Sequence, residues 1–134
     1  MQPVAPLPAT ALTISGQAYS FGENISGWQT LDLVFTPGSP VAQLHLNGSG
    51  SIEIGLDNLY RQSNEESLGE LLLRGRWVDE RTFLIDYPYP PAGQPRLGEL
   101  GKTTFQLSFD KDTVEVTIRS LIFGGEPVSF SGKK

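Results

Sequence analysis

The side chains of this chain of 134 residues form few of the combinations that carry out catalysis. The chain has no cysteine, which excludes thiol catalysis, disulfides and cysteine-ligated zinc. It has one histidine, His45, whereas zinc takes three or four side-chain ligands. Ser131 and Lys134 have the spacing at which a lysine activates a serine nucleophile, but they follow a predicted strand instead of lying on one turn of a helix. We therefore expect no catalytic residue, no metal and no cofactor, and we expect that the chain is not an enzyme.

The charged residues do not indicate a binding site either. Paired carboxylates, which can perform acid–base chemistry when burial shifts their pKa, all fall in predicted turns: Glu65/Glu66, Asp79/Glu80 and Asp110/Asp112. The net charge is −5 and the ten Lys and Arg residues are scattered, whereas a nucleic-acid binding protein usually carries a basic patch. No apolar run approaches the ~20 residues that cross a bilayer. We therefore expect no nucleic-acid partner and no membrane span.

Four large aromatic residues are the candidates for a ligand site. Trp28, Tyr60, Trp77 and Tyr87 could line a cavity inside a barrel, since a barrel of eight strands can hold one small ligand. Large side chains can also fill such an interior completely. The inward-facing residues are mostly Phe, Leu and Ile, with few polar groups to orient a ligand. This composition favours a filled core, and a cavity for a small apolar ligand is the alternative.

The elements that would position these residues are strands, because apolar and polar residues alternate along most of the chain. In a strand, residues two apart share a face. Alternating segments occur around Leu31–Phe35, Leu44–Leu46, Ile52–Leu56, Leu71–Trp77, Phe83–Tyr87, Phe105–Phe109, Val114–Ile118 and Val128–Phe130. Seven or more strands with one apolar face predict an antiparallel sheet that is closed or folded in two.

Short turns connect these strands and indicate an up-and-down order. Val78–Arg81 and Asp110–Asp112 are the clearest hairpin turns. We expect an all-β fold, a single antiparallel up-and-down barrel of about eight strands, lipocalin-like in outline. The last strand, Pro127–Gly132, is predicted to pair with the first, Thr13–Phe21, with Gly16 and Gly132 relieving crowding between them.

Proline marks the parts of the chain that do not alternate. Residues 1–12 contain three prolines and are predicted to form an extended linker, which leaves 13–134 as the barrel domain. Residues Pro88–Gly101 contain four prolines and are predicted to form a long irregular connection. Residues Asn64–Leu72 are compatible with a helix, but Gly69 weakens it, and we expect a loop or a single turn there.

Five segments of the sequence together resemble a known domain. They are Leu12–Trp28, Gly55–Ser63, Leu73–Tyr87, Thr103–Leu121 and Gly124–Lys134. Their most specific motifs are Ser-Gly-x-x-Tyr-x-Phe, Gly-Leu-Asp-x-x-Tyr-Arg and the pair Gly-Arg-Trp and Thr-Phe. In this order they resemble the small β-barrel that follows the catalytic domain in some bacterial serine β-lactamase-like hydrolases.

The resemblance implies a role without catalysis. In that family the catalytic Ser-x-x-Lys lies in the preceding domain, and the barrel is an accessory domain. The resemblance therefore implies that this chain is a C-terminal accessory barrel whose partner is the catalytic domain of the same parent chain. It would pack on that domain or shape access to its active site. The alternative function is a stand-alone lipocalin-like module that binds a small apolar ligand in the barrel.

Overall fold

The structure, a computed structural model, describes residues 6–24, 27–48, 50–65, 69–88, 103–120 and 128–134. Within these ranges, one helix and ten strands follow one another. Their bounds are α1 Ala9–Ile14, β1 Ala18–Phe21, β2 Thr30–Val34, β3 Val41–Leu46, β4 Ile52–Gly55, β5 Arg61–Glu65, β6 Gly69–Trp77, β7 Thr82–Tyr87, β8 Thr103–Asp110, β9 Thr113–Ser120 and β10 Val128–Lys133. The predicted turns at 78–81 and 110–112 separate β6 from β7 and β8 from β9.

The strands form a closed barrel, which confirms the predicted all-β barrel. Hydrogen bonding runs in the order β4-β3-β2-β1-β10-β9-β8-β7-β6, and β4 then pairs with β6 to close the ring of nine strands. All neighbours are antiparallel except β4 and β6, which are parallel through the single register pair Gly55 and Arg74. The prediction of a purely antiparallel barrel of about eight strands therefore needs correction on both counts.

Strand β5 explains the parallel contact, because it reverses the direction of the chain between β4 and β6. It pairs antiparallel with the first half of β6, from Arg61 opposite Leu73 to Glu65 opposite Gly69, and the amide of Glu53 on β4 donates to the Ser63 hydroxyl at 2.9 Å. Strand β5 thus lies between β4 and the first half of β6, and only beyond it do the two parallel strands meet. Because the sequence of β5, RQSNE, is polar throughout, the alternation did not predict it. The loop or single turn expected at Asn64–Leu72 is instead strand on both sides of residues 66–68, which lie outside the described part.

The second closure pairs the first and last strands as predicted, but the first strand begins at Ala18 and not at Thr13, because Thr13 and Ile14 belong to α1. Phe21 on β1 is opposite Gly132 on β10. A Cβ atom at Gly132 would lie 2.7 Å from the Phe21 ring, so glycine is needed at this contact. Gly16 has a different role, because it lies in the turn before β1 with φ of +79° and a Cβ atom there would meet nothing.

The proline-rich start of the chain belongs in part to the packed domain. Helix α1 begins at Ala9, inside the predicted linker, and its Ala11 and Ile14 are buried in the core. The hydroxyl of Ser15 donates to the Phe35 carbonyl at 3.3 Å and accepts from the Phe35 amide at 2.8 Å, which fixes the end of the helix to the end of β2. The helix and the turns at 78–81 and 111–112 share one end of the barrel, here called the lower end. The predicted long connection Pro88–Gly101 lies outside the described residues apart from Pro88.

Aromatic side chains fill the lower half of the barrel. Phe35, Trp77, Phe83 and Phe109 form a cluster in which neighbouring ring centroids are 5.1 to 5.9 Å apart. Gly75 makes room for it, because a Cβ atom there would lie 2.6 Å from the Phe83 ring and 2.9 Å from the Leu84 carbonyl oxygen. This packing therefore depends on the absence of a side chain at position 75.

Gly75→Ala should destabilise the barrel by about 1–3 kcal/mol, because the added methyl group forces Phe83 or the β7 backbone to move. The free energy of unfolding in urea measures this. Gly22→Ala is the matched control, since a Cβ atom at Gly22 meets nothing within 4 Å. Equal stability of the two variants would contradict this account of Gly75.

A buried ion pair fixes the connection between β4 and β5. The Asp57 side chain is fully buried, and Arg61 Nη2 donates to its Oδ2 at 2.7 Å. This hydrogen bond holds the pKa of Asp57 below its usual value, against the effect of desolvation. A carboxylate whose pKa is lowered by folding stabilises the folded state above its unfolded pKa, and the contribution is lost as the pH falls through the folded pKa.

Asp57→Asn should therefore lower the free energy of unfolding at pH 7, and the difference from the wild type should shrink as the pH falls below about 4. Urea unfolding of both proteins between pH 7 and pH 3 tests this. Asp110→Asn breaks the exposed pair of Asp110 with Arg81 and should change stability at pH 7 by less than about 1 kcal/mol. A difference between Asp57→Asn and wild type that stays constant down to pH 3 would exclude the ionised pair as its source.

Candidate functional site

The upper half of the barrel, opposite α1, contains a cavity of about 350 Å³. Eight of its lining residues lie on strands, and Trp28 and Asn47 lie just outside β2 and β3. The full lining is Trp28, Leu44, Leu46, Asn47, Ile52, Leu71, Leu73, Ile85, Tyr87 and Phe105. The alternation that predicted the strands places their lining side chains on the inner face. The cavity is therefore built into the barrel wall.

The cavity lies on one side of the upper interior because aromatic rings fill the other side. Phe21, Trp28 and Phe130 contact one another edge to face, with ring centroids 5.4 to 5.8 Å apart. On the side of β3, β4 and β6 the inward residues are smaller, mainly Leu and Ile. The difference in side-chain size leaves the space unfilled.

Trp28 and Tyr87, two of the four predicted site residues, line the cavity. Trp77 belongs to the aromatic cluster of the lower half, and its buried Nε1 has no hydrogen-bond partner among the described residues. Tyr60 precedes β5, and its ring covers the Arg74 guanidinium at 4.5 Å. Burial raises the pKa of Tyr60, while Arg74 acts in the opposite direction. The structure therefore does not bring the four aromatic residues together at one site.

Two asparagines that the sequence analysis did not select hold the backbone around Trp28. Asn24 Oδ1 accepts from the Trp28 amide at 3.0 Å, and Asn24 Nδ2 donates to the Trp28 carbonyl at 2.8 Å. Asn47 Oδ1 accepts from the amides of Gln29 at 2.6 Å and Thr30 at 3.2 Å. Asn47 Nδ2 donates to the Gly27 carbonyl at 3.1 Å. The Asn47-Gly48 dipeptide, a turn signal between two strands, was the available clue.

The cavity surface is apolar and carries no charged side chain among the residues that line it. The only amide side chain of the lining, Asn47, uses both its oxygen and its nitrogen in the three bonds just described. An uncharged apolar molecule is therefore compatible with this surface. A buried charge without a partner would be strongly unfavourable there.

A charged cluster lies on the outer face of the same wall. The carboxylate of Asp86, 1 % exposed, accepts from Arg74 at 3.3 Å, Arg76 at 3.3 Å and Thr104 at 3.2 Å. Asp86 lies opposite Arg74 and Thr104 in the strand register, so these bonds connect β6, β7 and β8. The cluster supports the wall that presents Ile85 and Tyr87 to the cavity.

The structure shows the conformation of the chain at its two Ser-x-x-Lys spacings. Ser131 lies on β10, and the Lys134 ammonium pairs with Asp112 at 3.8 Å. A second such spacing, Ser108 to Lys111, passes from β8 into the turn before β9 and was not recognised in the sequence analysis. Both spacings are therefore in extended or turn conformation, where residues three apart do not share a face.

In the described part of the chain, no group of three His, Asp or Glu side chains is placed to bind a metal ion. Within the same ranges no helix has the length and apolarity needed to span a bilayer.

Comparisons of this chain with protein-family models, with curated proteins and with solved structures find no match. The fold and the site themselves define the class: a closed all-β barrel with a packed lower half and an apolar cavity in its upper half.

Proposed function

We propose that the barrel binds one small, uncharged apolar molecule in its upper cavity. The observation that carries this proposal is the cavity itself, about 350 Å³ in volume and lined almost entirely by Leu, Ile and aromatic side chains. Ligand sites in proteins are typically concave, mostly apolar and roughly 300–1,000 Å³ in volume. The cavity lies at the small end of that range, which indicates a small ligand.

Two features of the lining define the chemistry of the ligand. Burial of apolar surface contributes about 25 cal/mol per Å², so transfer from water to this cavity favours a hydrocarbon-like or aromatic molecule. Trp28, Tyr87 and Phe105 also offer ring faces and edges to an aromatic ligand. A charged group within the cavity would lose its hydration and find no charged partner on the lining.

Titration with N-phenyl-1-naphthylamine, an uncharged aromatic probe whose fluorescence rises in apolar surroundings, tests the proposal. The wild type should bind it at one site per chain. Leu71→Trp should weaken binding at least about tenfold, because the larger ring occupies the cavity. Leu72→Trp is the matched control, since the neighbouring residue on β6 points to the opposite face.

Circular dichroism and urea unfolding establish that both tryptophan variants are folded. Equal binding by the Leu71 and Leu72 variants would place the probe outside the cavity. An absence of binding to the folded wild type would refute the proposed function for this class of molecule.

A second candidate function is the non-catalytic accessory role that the resemblance implies. Two of the resembling segments, Leu73–Tyr87 and Thr103–Leu121, include most of β6 through β9 and so supply a continuous part of the barrel wall. In this proposal the barrel packs on a serine hydrolase domain of the same parent chain. The cavity and the accessory role do not exclude each other.

The isolated chain should then hydrolyse neither nitrocefin nor p-nitrophenyl acetate above the rate in buffer. Ser131→Ala and Ser108→Ala control for the two Ser-x-x-Lys spacings. Turnover by the purified chain that either substitution abolishes would overturn the non-catalytic role.

A further inference from the structure

We propose that Asn24 and Asn47 are positioning residues that hold Trp28 as the adjustable wall of the cavity and thereby set its affinity for the ligand. The ligand part of this inference rests on the proposed function. The positioning of Trp28 by the two asparagines is measurable without any ligand.

Backbone ladders fix most of the wall. Of the ten lining residues, eight lie on β3, β4, β6, β7 and β8. Each of these strands is paired to its neighbours in the sheet, so moving a lining residue there requires breaking several backbone hydrogen bonds. Trp28 differs, because it lies between β1 and β2, where no ladder holds it.

Side-chain hydrogen bonds replace the ladder at Trp28. Asn24 binds both the amide and the carbonyl of Trp28, and a further bond from its Nδ2 to the Gly22 carbonyl at 2.9 Å fixes Asn24 itself. Asn47 binds the residues on either side of Trp28, the carbonyl of Gly27 and the amide of Gln29. Backbone bonds hold the two neighbouring residues as well, from the Gly27 amide to the Asn24 carbonyl at 3.2 Å and from the Phe21 amide to the Gln29 carbonyl at 2.9 Å. The bonds to the amide and carbonyl of Trp28 itself come from the Asn24 side chain.

Asn47 also connects this segment to β3, the strand beside β2 in the cavity wall. It directly follows β3, whose Leu44 and Leu46 line the cavity, and it has a positive φ of 55°. Asparagine tolerates this left-handed conformation better than most residues. Its side chain thus joins the strand wall of the cavity to the segment that carries Trp28.

The position of the Trp28 ring determines the shape of the cavity. The ring packs on Phe105, which also lines the cavity, at 5.8 Å between centroids, and on Phe21 and Phe130 on its other side. A ring that is held in one position leaves a preformed site, whereas a ring that samples several positions must be ordered when a ligand binds. Ordering a side chain on binding lowers affinity.

Asn47→Gly removes the side-chain hydrogen bonds without straining the backbone, because glycine accepts a positive φ. The chain has two tryptophans, so labelling with 5-fluorotryptophan gives one ¹⁹F resonance for Trp28 and one for Trp77 as an internal reference. We expect Asn47→Gly to shift or broaden the Trp28 resonance, to leave that of Trp77 unchanged, and to weaken N-phenyl-1-naphthylamine binding about tenfold.

Two further variants make the test specific. Asn58→Gly removes another asparagine with positive φ, 66°, from the turn after β4 at the lower end, and it should change neither the Trp28 resonance nor the affinity. Asn47→Asp keeps the oxygen that accepts from Gln29 and Thr30 but loses the donor to the Gly27 carbonyl, so its effect should be smaller than that of Asn47→Gly. A Trp28→Phe variant assigns the resonances.

The inference is overturned if Asn47→Gly leaves the Trp28 resonance as in the wild type, or if Asn58→Gly perturbs it equally. A perturbed Trp28 resonance with unchanged probe affinity would also overturn the proposed control of binding. If the wild type binds no probe while Asn47→Gly still shifts Trp28, the proposed function fails and the positioning of Trp28 by Asn47 stands.

Discussion

The barrel closes at one point where two parallel strands meet, Gly55 on β4 beside Arg74 on β6. Glycine is required at position 55, because a Cβ atom there would collide with the carbonyl group of Leu59. Above this contact, in the upper half of the barrel, β5 lies between β4 and β6. The Ser63 hydroxyl of β5 accepts a hydrogen bond from the Glu53 amide of β4. The ring is therefore wider in its upper half, since the circumference of a barrel grows with the number of its strands. Ile52, Leu71 and Leu73, which border this widened part, all line the cavity.

Strand β5 and the sizes of the inward side chains together divide the interior into two halves. In the lower half, Phe35, Trp77, Phe83 and Phe109 fill the narrower ring, and Gly75 has no side chain because the Phe83 ring occupies its space. In the upper half, Leu and Ile face a wider ring and do not fill it. A filled core and a cavity were alternatives for the sequence as a whole, whereas the structure contains a filled half and a half with a cavity. The two halves share the same alternating pattern and differ in residue size and in strand number.

Local patterns in the sequence predict the barrel well but predict the site only in part. Alternation and turn residues identify nine of the ten strands approximately, and they identify the pairing of the first strand with the last, because these signals depend on neighbouring residues. Strand β5 was missed because its five residues are all polar and do not alternate, and α1 was missed because three prolines precede it. The separation of Trp28 and Tyr87 from Tyr60 and Trp77 depends on register between distant strands, which no local pattern contains. The roles of Asn24 and Asn47 likewise arise from contacts across a loop and between strands.

If the upper cavity binds a ligand as proposed, these features determine how it selects that ligand by size. Most of its wall belongs to strands with a hydrogen-bonded neighbour on each side, and such a wall does not expand to admit a larger molecule without losing ladder bonds. Two borders are held differently: β4 contacts β5 through a side chain, and Trp28 is held through two asparagines. Breaking the Ser63 bond leaves the Glu53 amide of the wall without this partner. Movement of Trp28 breaks no bond between the strands that line the cavity. We therefore expect the cavity to adapt to ligand size most readily at Trp28, and we expect the asparagine hydrogen bonds to oppose that adaptation.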